Sequence, residues 1–267
     1  MPPVIGVFDS GFGGLTVLRE LRTVLPGADY LYFGDTAHLP YGAKSARTVA
    51  KYAIASAHFL EESGIELLVI ACNTATALAF DDIRAAVRVP VVGVVEPGAR
   101  CAAQISKTRK AAVIATEATV ASHAYRRALE RVGLEATEKA CPLFVPLVEE
   151  GWVDHPVTER VAHIYMDEAF RDGARNADVL LLGCTHYPLI RPLLRRVVPA
   201  QVEIVDSAES TAAAVAQLLG TKGQDSGRGE NGRLRCYATD STEKFARLGS
   251  KFLGCPIQDI ELIDIEK

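Results

Sequence analysis

The amino-acid sequence predicts an α/β protein of two similar lobes, each a mostly parallel sheet flanked by helices, with the active site between them. Two observations carry that prediction. Short apolar runs alternate with polar or glycine-rich turns and then with amphipathic stretches, the pattern of strands joined by crossover helices. One strand-turn segment also occurs twice: Leu67-Leu68-Val69-Ile70-Ala71-Cys72-Asn73-Thr74 is laid out like Leu180-Leu181-Leu182-Gly183-Cys184-Thr185-His186. In each, an apolar run ends in a small residue, then a cysteine, then polar side chains.

Taken in order, Val4–Phe8 reads as a strand leading into the turn Asp9-Ser10-Gly11-Phe12-Gly13-Gly14 and a helical Leu15–Leu25. Tyr30–Phe33 is a second strand, followed by Gly34-Asp35-Thr36. Ser45–Ser63 carries apolar residues at helical spacing, and Leu67–Ala71 is a buried strand ending at Cys72. Val91–Val95, Ala111–Ala115, Val179–Leu182 and Val202–Val205 are further strands. The turn at Thr116-Glu117, after Val113-Ile114-Ala115, is a loose counterpart of the Asp9 turn, at a similar distance ahead of its cysteine. Thr221–Arg233, rich in glycine and charge, reads as a surface loop. Leu234–Ala238 then reads as a strand and Thr242–Phe252 as a helix, a tail that packs back onto the first lobe. The division expected is residues 1–96 with 207–267 as the lobe carrying Cys72, and 97–206 as the lobe carrying Cys184.

A chain of 267 residues buries a sizeable core without disulfides or metals. Its six cysteines (Cys72, Cys101, Cys141, Cys184, Cys236 and Cys255) contain no C-x-x-C pair, so neither a disulfide framework nor a metal site is expected. The net charge of -4 makes no electrostatic case for nucleic acid or an anionic membrane as partner. The most apolar run, Leu67–Phe80, is too short to span a bilayer. Met1-Pro2-Pro3 has no basic leader and Asp9 soon interrupts the apolar stretch, so no signal peptide is read and the cytoplasm is the expected compartment.

Ligands of parallel sheets bind beyond the carboxyl ends of the strands, where Cys72 and Cys184 fall. Each precedes what reads as a helix N-terminus, whose dipole and free N–H groups favour a thiolate. A matched pair of cysteines, one per lobe, suits inversion of a stereocentre: a thiolate takes a proton on one face of a carbon while a thiol gives one on the other. Thiolates need no metal or pyridoxal group to act as bases, provided preorganised donors hold the developing carbanion. Asp9 beside Cys72 would orient it or shuttle charge, and it also fits a helix N-cap. His186, two residues beyond Cys184, would tune that thiol, and it also fits a hydrogen-bonded core histidine. Ser10, Asn73, Thr74 and Thr185 suit the amino and carboxylate groups of an amino acid and equally suit caps and turns. The cluster Gly11-Phe12-Gly13-Gly14 lacks the lysine of a P-loop and the spacing of a dinucleotide fingerprint, so tight packing near the site is its expected role.

These motifs converge. Phe8-Asp9-Ser10-Gly11-Phe12-Gly13-Gly14-Leu15, Gly34-Asp35-Thr36 with Pro40-Tyr41-Gly42, Ala71-Cys72-Asn73-Thr74-Ala75, Pro142-Leu143 through Leu147-Val148-Glu149, and Gly183-Cys184-Thr185-His186-Tyr187-Pro188-Leu189 occur in that order. With them the sequence resembles the glutamate racemases of the aspartate/glutamate racemase superfamily along nearly its whole length. The resemblance implies that Cys72 takes the proton from D-glutamate and Cys184 from L-glutamate. It implies Asp9 as the assisting group for Cys72 and His186 for Cys184, with Glu149 and Asp35 as further acidic positions. Substrate contacts are implied for Asp9, Ser10, Pro40, Tyr41, Gly42, Asn73, Thr74, Thr116, Thr185 and His186. No cofactor is implied. The substrate would be glutamate, the role the supply of D-glutamate for peptidoglycan, and a homodimer is common in the family. Racemisation of aspartate or another acidic amino acid is the nearest alternative, though the Pro40-Tyr41-Gly42 loop favours glutamate. A cysteine amidase built on Cys184, His186 and an acid would leave Cys72 without a role, and a non-catalytic binding module would not need two thiols.

Overall fold

The computed structural model describes residues 2–171, 175–220 and 232–265. The first half runs β1 (Val4–Asp9), α1 (Leu15–Val24), β2 (Asp29–Gly34), α2 (Ala46–Glu62), β3 (Leu67–Ile70), α3 (Asn73–Ala86), β4 (Val91–Gly93) and α4 (Val95–Ile105). The second half runs β5 (Lys110–Ala115), α5 (Glu117–Ser122), α6 (Ala124–Arg131), β6 (Glu135–Ala140), α7 (Phe144–Glu149), α8 (Pro156–Ala169), β7 (Val179–Gly183), α9 (Arg191–Val197) and β8 (Glu203–Asp206). Then follow α10 (Ser207–Leu219), β9 (Leu234–Ala238), α11 (Thr242–Leu253) and β10 (Ile260–Leu262).

The strands form two sheets, ordered β10-β9-β2-β1-β3-β4 and β6-β5-β7-β8, and every pairing is parallel. The order β2-β1-β3-β4 recurs four strands later as β6-β5-β7-β8. The doubled cysteine motif is therefore the visible trace of a doubled topology, because Cys72 follows β3 and Cys184 follows the equivalent β7. Both strands are buried along their whole length, which is why they read as unbroken apolar runs: helices cover both faces of a parallel sheet. Strands β9 and β10 extend the first sheet beyond β2.

Side chains cap several of these helices at their N-termini. Ser45 caps α2 by accepting from the Thr48 N–H, and Asp206 caps α10 by accepting from the Ala208 N–H at 2.7 Å. Among the described residues, no helix is long and apolar enough to cross a membrane.

Three differences from the sequence reading have physical causes. Strand β6, Glu-Ala-Thr-Glu-Lys-Ala, was not expected, since an edge strand half open to solvent needs no apolar run. The expected strand Val91–Val95 stops at Gly93, because Val94 and Val95 already begin α4. Of the expected loop Thr221–Arg233, residues 221–231 lie outside the described residues; Arg233 donates its N–H to the Asp29 carboxylate at 2.8 Å.

Candidate active site

The turns that follow β1, β3, β5 and β7 line one cavity of about 150 Å³. It is small beside the ~300–1,000 Å³ of drug-sized pockets, a size for a small metabolite. Ser10, Pro40, Tyr41, Gly42, Cys72, Asn73, Thr74, Thr116, Glu149, Cys184, Thr185 and His186 all reach its wall. The second and first sheets contribute one cysteine each.

Cys72 caps α3: its Sγ accepts from the Ala75 N–H at 3.4 Å, and its thiol reaches Ser10 Oγ at 3.5 Å. The expected thiolate is not favoured here. Burial pushes the Cys72 thiol up to about 12, with the Asp9 charge adding to the effect, and a single helix N-terminus does not offset that loss of solvation.

Asp9 stands behind the cavity wall rather than on it. Its Oδ2 accepts from the Gly11 N–H at 2.9 Å, while Oδ1 is buried without a partner among the described residues. Burial raises the Asp9 pKa, opposed by His186 and by the backbone N–H groups of Gly14, Gly11 and Ser10. It does not cap α1, whose N-cap is Gly14.

Cys184 sits differently. The residues after it form a 3₁₀ turn, Tyr187–Ile190, that leads directly into α9. Its Sγ lies 4.0 Å from His186 Nδ1, and His186 Nε2 lies 3.1 Å from Glu149 Oε1 at the end of α7. Burial alone would lower the His186 pKa, but the hydrogen bonds and charges of Cys184 and Glu149 outweigh it and raise the pKa to about 10. These partners favour the protonated imidazole beside the sulfur. The turn is held from the first lobe, where Thr16 Oγ1 donates to the Thr185 carbonyl at 3.1 Å, and the Phe252 ring of α11 meets the His186 ring edge-on with centroids 5.0 Å apart.

Glycines mark where the lobes touch. A Cβ on Gly13 would come within 2.6 Å of His186 Nδ1, and one on Gly42 within 2.8 Å of the Thr116 side chain. The glycine cluster is a close-approach surface.

Tyr41 reaches the cavity without offering its hydroxyl, which donates to Asp35 Oδ2 at 2.6 Å. Asp35, expected among the acidic groups around the site, is instead buried behind the loop, with its Oδ1 near His38 Nδ1 and accepting from Thr239 Oγ1. Thr74, Thr116 and Thr119 bring three hydroxyls within 2.9–3.1 Å of one another, joining α3 to α5. Sequence reasoning did not single out Thr119 or Tyr125, whose hydroxyl donates to Asn73, nor Leu39, Val145 and Pro146 on the wall. Apolar and supporting residues carry no motif of their own.

Comparison with known proteins agrees with this geometry. Residues 13–216 match the family described as Asp/Glu/Hydantoin racemase. The glutamate racemase of Koribacter versatilis is 60% identical, with 98% of each chain covered. Among solved structures, glutamate racemase from Francisella tularensis in complex with D-glutamate superposes with a TM-score of 0.90 at 35% identity, covering 99% of this chain and 98% of that one. The Thermus thermophilus glutamate racemase in complex with beta-chloro-D-alanine gives 0.88 at 43% identity, over 99% and 98%. A cavity flanked by two cysteines from a doubled α/β frame and relatives matched end to end lead to one conclusion: the chain is an isomerase, a racemase belonging to the Asp/Glu/Hydantoin racemase family.

Proposed function

We propose that the protein interconverts L- and D-glutamate by two-base proton transfer at the α-carbon, and that it supplies D-glutamate for peptidoglycan in the cytoplasm. The observation that carries the proposal is that Cys72 and Cys184, from equivalent strand ends of two sheets, line the same small cavity. Full-length relatives named as glutamate racemases supply the substrate.

In the forward direction the Cys184 thiolate, beside the His186 imidazolium, removes the α-proton of L-glutamate. The electron pair left on carbon spreads into the α-carboxylate, where hydrogen-bond donors on the wall hold the developing charge. The Cys72 thiol then protonates the opposite face, giving D-glutamate, a Cys184 thiol and a Cys72 thiolate. The reverse reaction begins from that state. Burial that raises the Cys72 pKa to about 12 also makes its thiolate a strong base once formed. Ser10, Gly42, Asn73, Thr74, Thr116 and Thr185 surround the substrate's amino and carboxylate groups. Cys184, His186 and Glu149 alone would form a hydrolase-like triad, but that reading gives Cys72 no task.

The test is incubation of each glutamate enantiomer in deuterated water without added cofactor, followed by optical rotation and by loss of the α-proton signal. Racemisation with deuterium incorporation is expected from both sides. Faster turnover of aspartate overturns the choice of substrate, and release of ammonia from glutamine without racemisation overturns the chemistry.

A further inference from the structure

Tyr125, on α6 of the second half of the chain, has no place in the proton transfers above, yet it touches both cysteine turns. Its ring lies against Gly183, the residue before Cys184: a Cβ there would come within 2.9 Å of Tyr125 Cε2. Its hydroxyl crosses to the first lobe and donates to Oδ1 of Asn73, the residue after Cys72. Both side chains are buried, Tyr125 completely and Asn73 to 2% exposure. Burial also raises the Tyr125 pKa, so the group stays a phenol and remains a donor.

The hydrogen bond fixes more than distance. With Oδ1 occupied, the Asn73 amide has one orientation, and Nδ2 is left buried with no partner among the described residues. Asn73 is on the cavity wall. A buried unpaired donor is costly unless a ligand satisfies it, and an anionic oxygen is its best partner.

We propose that Tyr125 is a positioning residue: it ties the Cys72 turn to the Cys184 turn and locks the Asn73 amide with its NH2 free to donate to a substrate carboxylate. The inference rests on the glutamate reading for the identity of that carboxylate, and on the geometry alone for the tie.

Two measurements on Tyr125→Phe separate these parts. In ¹⁵N-labelled protein without substrate, the Asn73 side-chain amide signals, assigned by their loss in Asn73→Ala, should shift when the hydroxyl is removed; unchanged signals overturn the tie. In the racemase assay, KM for both enantiomers should rise about tenfold while kcat falls less than threefold, the effect of misorienting one donor to a charged group. In an Asn73→Ala background the same change should alter KM by less than about twofold, because Tyr125 acts through Asn73. An unchanged KM in the wild-type background, or fully additive losses, overturns the positioning role. Wild-type protein that leaves both glutamate enantiomers untouched overturns the substrate instead, with the amide signals still deciding the tie.

Discussion

The Cys72 and Cys184 turns are built on the same frame and furnished with opposite charge. Each follows a buried central strand, β3 or β7, flanked by equivalent neighbours. Around Cys72 stand the Ser10 hydroxyl, the backbone N–H groups of Ala75 and Ser10 and, behind them, the Asp9 carboxylate. Around Cys184 stands an imidazole backed by Glu149. The difference is one of charge around each sulfur. A helix N-terminus contributes roughly 0.3–1 kcal/mol to an exposed anion, while burying an unpaired charge costs several kcal/mol. Cys72 has the helix and not the cation, and its thiol is held protonated. Two-base inversion needs one thiol and one thiolate at the start of every turnover. A doubled fold supplies the symmetry of position, and unequal neighbours supply the asymmetry of charge.

Breaking either sulfur is expected to have the largest effect. Cys72→Ser and Cys184→Ser should each lower kcat/KM by about 10³-fold or more, since a serine hydroxyl is a far weaker acid and base at the same place. The loss must be equal in both directions. Enantiomers are equally stable in water, so kcat/KM for L- and D-glutamate are bound to a ratio of one, and asymmetry between the turns can appear only in kcat, KM and pH dependence. Steady-state kinetics from both enantiomers checks this, and full activity in either variant would refute the two-base assignment.

The charge difference itself is tested by His186→Asn, expected to lower kcat/KM about 10²-fold. Wild-type activity should fall as pH rises through about 10, where His186 loses its proton, and that alkaline limb should vanish in the variant. The same proton bears on stability. The folded pKa lies above the unfolded value of 6.5, so the pairing with Cys184 and Glu149 stabilises fully below about pH 6.5 and is lost as pH climbs through about 10. Urea unfolding of wild type and variant between pH 6 and pH 10.5 should therefore converge at the alkaline end. A wild-type profile flat across pH 10 would remove the imidazolium from the argument.

The doubled frame was legible in the sequence because full burial leaves unbroken apolar runs, as in Leu67–Ile70 and Leu180–Leu182, and because cysteine ends both. The polar wall was legible for a similar reason: Ser10, Asn73, Thr74 and Thr185 fall at strand ends, where a parallel sheet puts its ligands. What stayed hidden depends on contacts across the chain. Nothing near Asp9 in sequence says that its carboxylate stands behind the wall, and nothing near Tyr41 says that its hydroxyl turns away to Asp35. The rise in the Cys72 pKa stayed hidden because local sequence shows the helix N-terminus and cannot show the burial that outweighs it. Tyr125 and Thr119 sit on helical faces that look like ordinary core.

The smallest effect expected separates a part serving both turns from parts serving one. The loop bearing Pro40, Tyr41 and Gly42 lines the same cavity as both sulfurs, and Asp35 anchors it through Tyr41. Thr239, just after β9, donates to Asp35 Oδ1 at 2.9 Å and accepts from the Ala37 N–H at 2.9 Å. Thr239→Val keeps the shape and removes the hydroxyl. Asp35 retains its bonds to Tyr41 and His38, and the exposed Ala37 N–H turns to water, so the loss is that of one net hydrogen bond, about 1 kcal/mol. If the loop only frames the substrate, kcat/KM should fall two- to fivefold, about what that energy predicts. The values of kcat in the two directions should keep their ratio, and the alkaline limb near pH 10 should stay in place, because neither sulfur has lost a charged neighbour. A skewed kcat ratio or a displaced limb would mean that the loop acts on one turn more than the other, and the division between a symmetric frame and asymmetric charge would have to be redrawn around Asp35.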